Sequence, residues 1–154
     1  MKIALSGDHR GVASIRMLAE KLKREGHEAT VVGDCSGAAC DYPERAYDVG
    51  RIVASKQADV GILVCGTGIG MAIAANKVKG IRAAVVHDEL TAQLSRSHND
   101  ANVLCLSADL LGQRLIEKIV EVWLASAFEG GRHARRIRKV IAMENGQDPA
   151  TVVE

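Results

Sequence analysis

The stretch Val60-Gly61-Ile62-Leu63-Val64-Cys65 constrains this chain most, because it is apolar throughout and then stops at Gly66-Thr67-Gly68-Ile69-Gly70. A run apolar at both odd and even positions suits a strand buried on both faces, the condition of a parallel sheet covered by helices. The flanking segments agree. Ile3 to Ser6 reads as a short strand ending at Gly7. Val12 to Arg24 follows with Val12, Ile15, Leu18, Ala19 and Leu22 at helical spacing and Gly26 as its C-cap. Ala29 to Val32 reads as a strand, and Pro43 opens a helix through about Ser55. Beyond the glycine loop, a helix is expected to about Lys77. Ile81 to Val86 follows as a strand, Glu89 to about Ser97 as a helix and Val103 to Leu106 as a strand. Leu110 to Ala127 reads as a long helix with Trp123 on its apolar side, and about Arg132 to Glu144 as a last helix. Residues 1–146 read as one domain and residues 147–154 as a frayed tail. Five strands interleaved with helices predict an α/β fold, a parallel sheet with helices on both faces.

In such a fold the ligand lies beyond the carboxyl ends of the strands. That rule selects Asp8-His9, the segment around Asp41-Tyr42, Cys65 with its glycines, His87-Asp88 and Ser107-Ala108-Asp109.

Charge and composition exclude several functions. Lys plus Arg total 20 and Asp plus Glu 19, a net charge of +1, so anion binding has to be local rather than global. Aromatic residues make up 3%, too few for a base-stacking surface, and nucleic-acid binding is not expected. No apolar run approaches a membrane span, and the opening Met1-Lys2-Ile3-Ala4-Leu5 is too short for a signal peptide, so a cytoplasmic protein without a membrane partner is expected. Cys35, Cys40, Cys65 and Cys105 are then expected to be reduced. Cys35 and Cys40 lack a second Cys/His pair at finger-like spacing, and no metal is expected.

Chemistry concentrates on Cys65. A cysteine ending a buried strand ahead of a glycine loop meets converging backbone N–H groups and a helix start, an environment that favours a thiolate and stabilises a nearby anion. The competing reading is a structural thiol beside a tight turn. Asp8-His9 sits in a Gly-Asp-His-Arg-Gly turn at the same expected edge. His98-Asn99 ends a helix and could be a polar cap. Arg132 and Arg136, four residues apart, share a helix face and can clamp a phosphate, or can form a solvated basic surface.

Taken together, Gly7-Asp8-His9, Asp41-Tyr42-Pro43, Cys65 to Gly70, Ala74-Ala75-Asn76-Lys77, Ser97 to Val103, and Glu129 to His133 with Arg136 resemble the type B ribose-5-phosphate isomerases and their galactose-6-phosphate and allose-6-phosphate relatives. The resemblance runs from Lys2 to about Met143. It implies a Rossmann-like αβα sandwich without metal or organic cofactor, acting on a small phosphorylated sugar. It implies a homodimer or tetramer whose last helix reaches the partner's site. Cys65 resembles the base, His98 helped by Asp8 the ring opener, and Thr67 a further catalytic group. The N–H groups of Gly66, Thr67, Gly68, Ile69 and Gly70 would hold the enediolate. His9, Arg132 and Arg136 resemble the phosphate binders, with His133 beside them, and Tyr42 and Asn99 would line the sugar. Asp109 departs from the pattern, since members acting on ribose 5-phosphate usually carry Arg there. Arg10 could replace that charge, or Asp109 could bind a hydroxyl of another substrate, a tetrose 4-phosphate, allose 6-phosphate or galactose 6-phosphate. The rival function from another class is a non-catalytic phosphosugar-binding module.

Overall fold

The computed structural model describes residues 1–33 and 39–152. Its strands are β1 (Lys2–Gly7), β2 (Glu28–Val31), β3 (Val60–Cys65), β4 (Ala83–Val85) and β5 (Val103–Ser107). The helices are α1 (Val12–Arg24), α2 (Tyr42–Ala54), α3 (Ile69–Ala75), α4 (Glu89–Ser97), α5 (Gln113–Ala125) and α6 (Gly131–Glu144). All strand pairs are parallel, in the order β2-β1-β3-β5-β4. The chain leaves β1 toward β2 and returns to place β3 on its other side. The carboxyl ends of β1 and β3 therefore form the topological switch point where ligands of such sheets bind.

Alternation along the strands divides the core in two. Ile3, Leu5, Ile62, Val64, Leu104 and Leu106 face α1, α4 and α5, where Leu18, Ala92, Ile119 and Trp123 meet them. Ala4, Leu63, Cys65 and Cys105 face α2 and α3, where Ala46, Val49, Val53, Met71 and Ala75 meet them. β3 is buried along its whole length, as its continuous apolar character requires. The outer edge of β4 is closed locally by Asn76, whose side-chain amide donates to the Ala83 carbonyl (2.9 Å) and accepts the Ala83 N–H (2.8 Å).

Some boundaries differ from expectation. α5 begins at Gln113 rather than Leu110, because Gly112 is extended (ψ 153°) and the Leu110 N–H is held by Ser107 Oγ at 2.9 Å. The tail is not merely frayed: Asp148 caps a 3₁₀ turn, Pro149–Thr151, by accepting the Ala150 N–H. Cys40 is disulfide-bonded, against the expectation of four reduced cysteines, and Cys35 lies outside the described residues. No helix among the described residues is long and apolar enough to cross a membrane.

Candidate active site

Cys65 ends β3 and is 4% exposed. Its Sγ accepts the backbone N–H of Gly68 at 3.1 Å, so the loop folds back over the sulfur. That hairpin needs Gly68 in the left-handed region (φ 78°), with its α-carbon close to the Leu106 backbone, where a Cβ would stand 3.1 Å from the carbonyl carbon. The loop is also tied to β5. Ala108 N–H donates to the Cys65 carbonyl (2.8 Å), and both Ser107 Oγ (2.6 Å) and Asp109 N–H (3.1 Å) donate to the Gly66 carbonyl. Five loop N–H groups were expected to face an anion. Two are engaged within the loop, Gly68 with the sulfur and Ile69 with Thr67 Oγ1 at 3.3 Å.

The other expected groups at this edge assemble around the same loop. Asp8 is buried, and its Oδ1 accepts the N–H of Arg10 (2.9 Å) and of Gly11 (3.1 Å). His9 and Thr67 are exposed on the rim. The Tyr42 ring lies over Gly70, where a Cβ would meet Cε2 and Cζ at 2.8 Å. Arg10 forks onto Asp109, with Nε 2.9 Å from both carboxylate oxygens and Nη2 2.7 Å from Oδ1. Bonding to Asp109 holds the Arg10 guanidinium above its ordinary range. Asp88 is a helix cap, accepting the Thr91 N–H at 2.7 Å, which accounts for its place on the rim. Cys105 is fully buried beside Cys65. Burial first, and Cys65 second, push its thiol up, so it stays protonated at neutral pH.

The remaining expected residues form a second cluster at the opposite edge. α4 returns from the carboxyl end of β4, so its C-terminal cap His98 lies near the start of β5, where the Asn102 carbonyl accepts the Gly61 N–H at 2.9 Å. Gly61 pairs with Val103 and Cys65 with Ser107, so roughly 13 Å of strand separates the two edges. Asp8 and His98 of one chain are therefore not brought together. His98 instead stacks on His133, with ring centroids 4.1 Å apart and planes 7° from parallel. Glu129 Oε2 lies 3.9 Å from His98 Nε2 and 3.8 Å from His133 Nε2. Arg132, Arg136 and Asn99 are exposed in this region. Burial, followed by the charges of His98 and Arg132, holds the His133 imidazole below its ordinary range, against an opposing pull from Glu129.

His98, Glu129 and His133 offer ligand atoms within 4.8 Å of one another. Imidazole lone pairs lie in the ring planes, and two nearly parallel planes do not converge on one ion, unlike the ligands of a tetrahedral zinc. The cluster is better described as a stacked imidazole pair beside one carboxylate. Glu129 was not expected as a site residue. It precedes α6, four positions before His133, within the Glu129-to-His133 signature that was the available signal.

A family model described as Ribose/Galactose Isomerase matches residues 3–140. A putative sugar phosphate isomerase of Bacillus subtilis is 44% identical over 141 residues, 91% of this chain and 95% of the relative. Ribose-5-phosphate isomerase B of Escherichia coli is 43% identical over 143 residues, 93% and 96% of the two chains. Ribose-5-phosphate isomerase B of Clostridium thermocellum superposes with a TM-score of 0.93 at 44% identity, covering 95% of this chain and 99% of the other. The Mycoplasma genitalium enzyme, solved with bound ribulose-5-phosphate, gives 0.90 at 43% identity, covering 93% and 95%. The parallel sheet, the cysteine loop at its switch point and these likenesses coincide over nearly the whole chain: it belongs to the ribose/galactose isomerase family.

Proposed function

We propose that this protein interconverts the aldose and ketose forms of a phosphorylated sugar, ribose 5-phosphate and ribulose 5-phosphate foremost, with Cys65 as the base. The observation that carries the reading is the Gly68 N–H aimed at Cys65 Sγ on the rim of the switch point. A carbon acid beside a carbonyl needs a base near its proton and donors where charge develops. The Cys65 thiolate takes the proton from the carbon bearing the hydroxyl next to the carbonyl. The electron pair moves into the carbon–carbon bond and then onto the carbonyl oxygen, giving an enediolate. The proton on the hydroxyl oxygen then passes to the former carbonyl oxygen, and the thiol returns its own proton to the former carbonyl carbon, so one carbon is oxidised as its neighbour is reduced and no external oxidant is required. Gly66, Thr67 and Gly70 supply loop N–H groups toward the developing charge, and the Thr67 hydroxyl stands beside them. Asp8 is fixed by two backbone donors at the same edge.

Ring opening is assigned to His98 and phosphate binding to Arg132, Arg136 and His9. The two edges of one chain lie too far apart for His98 and Cys65 to share a substrate, which supports a site completed by a second copy that contributes His98, Asn99, Arg132, His133 and Arg136. Residues 1–146 act as one domain in this reading, with α6 packing on the partner.

Turnover assays over tetrose, pentose and hexose phosphates test the reading, with Cys65→Ala as control. The variant is expected to lose at least about 10²-fold in kcat. Retained activity would leave a phosphosugar-binding module or another base. A sugar phosphate other than ribose 5-phosphate is the second reading, favoured by Asp109, which engages the Arg10 charge at the rim.

A further inference from the structure

The Arg10–Asp109 fork links residues 99 positions apart, yet it is exposed, at 56% and 37% for the two side chains. Ion pairs this wet contribute little to stability, so folding gives no strong reason for the geometry. Its location is more telling. Arg10 follows β1 and Asp109 follows β5, the two strands that flank β3. The pair therefore crosses the mouth of the cysteine loop and rests on Gly66. A Cβ at Gly66 would lie 2.9 Å from Asp109 Oδ2 and 3.3 Å from Arg10 Cδ. Both ends are held by groups already in the site. The Arg10 N–H donates to Asp8, and the Asp109 N–H to the Gly66 carbonyl.

We infer that Arg10 and Asp109 together form a hydroxyl-recognition corner, a specificity determinant that takes an uncharged part of the sugar chain and keeps the phosphate away. The inference rests on the isomerase reading and deepens it. A guanidinium has five N–H donors, and the fork engages the one on Nε and one on Nη2. The carboxylate likewise retains acceptor capacity beyond its three contacts. Donors and acceptors thus stand side by side, and a hydroxyl, which both gives and accepts, satisfies both. A phosphate dianion does not. Whatever it gains from Arg10 it loses to Asp109 at nearly the same distance, and buried Asp8 next door adds a second carboxylate. The phosphate is left to His9 and to the arginines of α6.

The test uses Asp109→Ala and Arg10→Ala in the full chain, with calorimetric titration of inorganic phosphate and turnover across tetrose, pentose and hexose phosphates. Removing Asp109 unmasks Arg10, so phosphate should bind about fivefold tighter or more. Removing Arg10 should leave phosphate affinity within about twofold, because that cation is already matched. Either variant should change the ratio of kcat/KM between the two best sugar phosphates by about tenfold. A fivefold loss of phosphate affinity in Arg10→Ala would make Arg10 a phosphate ligand and overturn the inference. So would an Asp109→Ala protein with unchanged phosphate affinity, or substrate ratios that stay fixed in both variants. A wild-type protein inert on every sugar would remove the isomerase reading instead, and the titration, which needs no turnover, would still decide whether this corner repels phosphate.

Discussion

His98 and His133 lie face to face, 4.1 Å between ring centres, and share one carboxylate, Glu129. Burial and the neighbouring His98 ring both discourage protonation of His133. The groups around His133 are His98, Glu129, Arg132 and Arg136, and with burial leading, their balance is a lowered affinity for protons. The unfolded chain, with an ordinary histidine near 6.5, then binds more protons than the folded chain just below that pH. This contribution costs nothing above about pH 7. Stability should fall as pH drops through about 6.5 and level off once folded His133 is also protonated. Urea midpoints from pH 5 to 8 check this: His133→Asn should flatten the acid slope, and parallel curves would sink the idea.

The two cysteines facing α2 and α3 should separate in their effects. Cys65→Ser should fold and lose at least about 10²-fold in kcat, because a serine hydroxyl is a far weaker base than a thiolate. Cys105→Ser should keep its turnover and lose about 1–3 kcal/mol of stability, since a hydroxyl replaces a thiol in a fully buried site. Steady-state kinetics and denaturant melts on both proteins provide the check.

A site built from two chains should show complementation. Cys65→Ala and His98→Ala are each expected to be nearly inactive. Random pairing of the two in a mixture makes about half the dimers mixed, and each mixed dimer holds one intact site, so about a quarter of wild-type activity should return. Co-expression followed by assay measures this. No recovery would place both residues in one chain's site.

Gly11 should be among the least replaceable residues outside the chemistry. A Cβ there would stand 2.2 Å from the Val64 carbonyl oxygen and 2.8 Å from its carbon, and that main chain is the central strand. Gly11→Ala should cost about 3 kcal/mol or more. Gly112→Ala, with nothing within 4 Å of the new methyl, should stay within about 0.5 kcal/mol. Chemical denaturation of both variants provides the comparison.

Much of this was legible in the amino-acid order. The boundaries of β3, α1 and α4 follow directly from apolar periodicity, because each faces a core along its length or along one stripe. The start of α5 was hidden. Leu110 and Leu111 look helical by composition, but Ser107 Oγ pins the backbone of Leu110 into a turn, a contact that only the folded chain makes. The rim rule for parallel sheets selected Asp8, Tyr42, Cys65 and Asp109, and it left out His98 and Arg132 for a sound reason. A helix that follows a strand carries the chain back to the other end of the sheet. The Arg10–Asp109 fork could not be read at all, since it depends on which strands flank β3.

The roughly 13 Å of strand between Cys65 and the His98 edge has a kinetic meaning. In the proposed two-chain site, a lone chain, however well folded, would carry halves of two different catalytic centres and complete neither. Its rate per molecule should fall on dilution below the concentration at which pairs persist, so encounter between chains, as much as the sugar supply, would set the throughput.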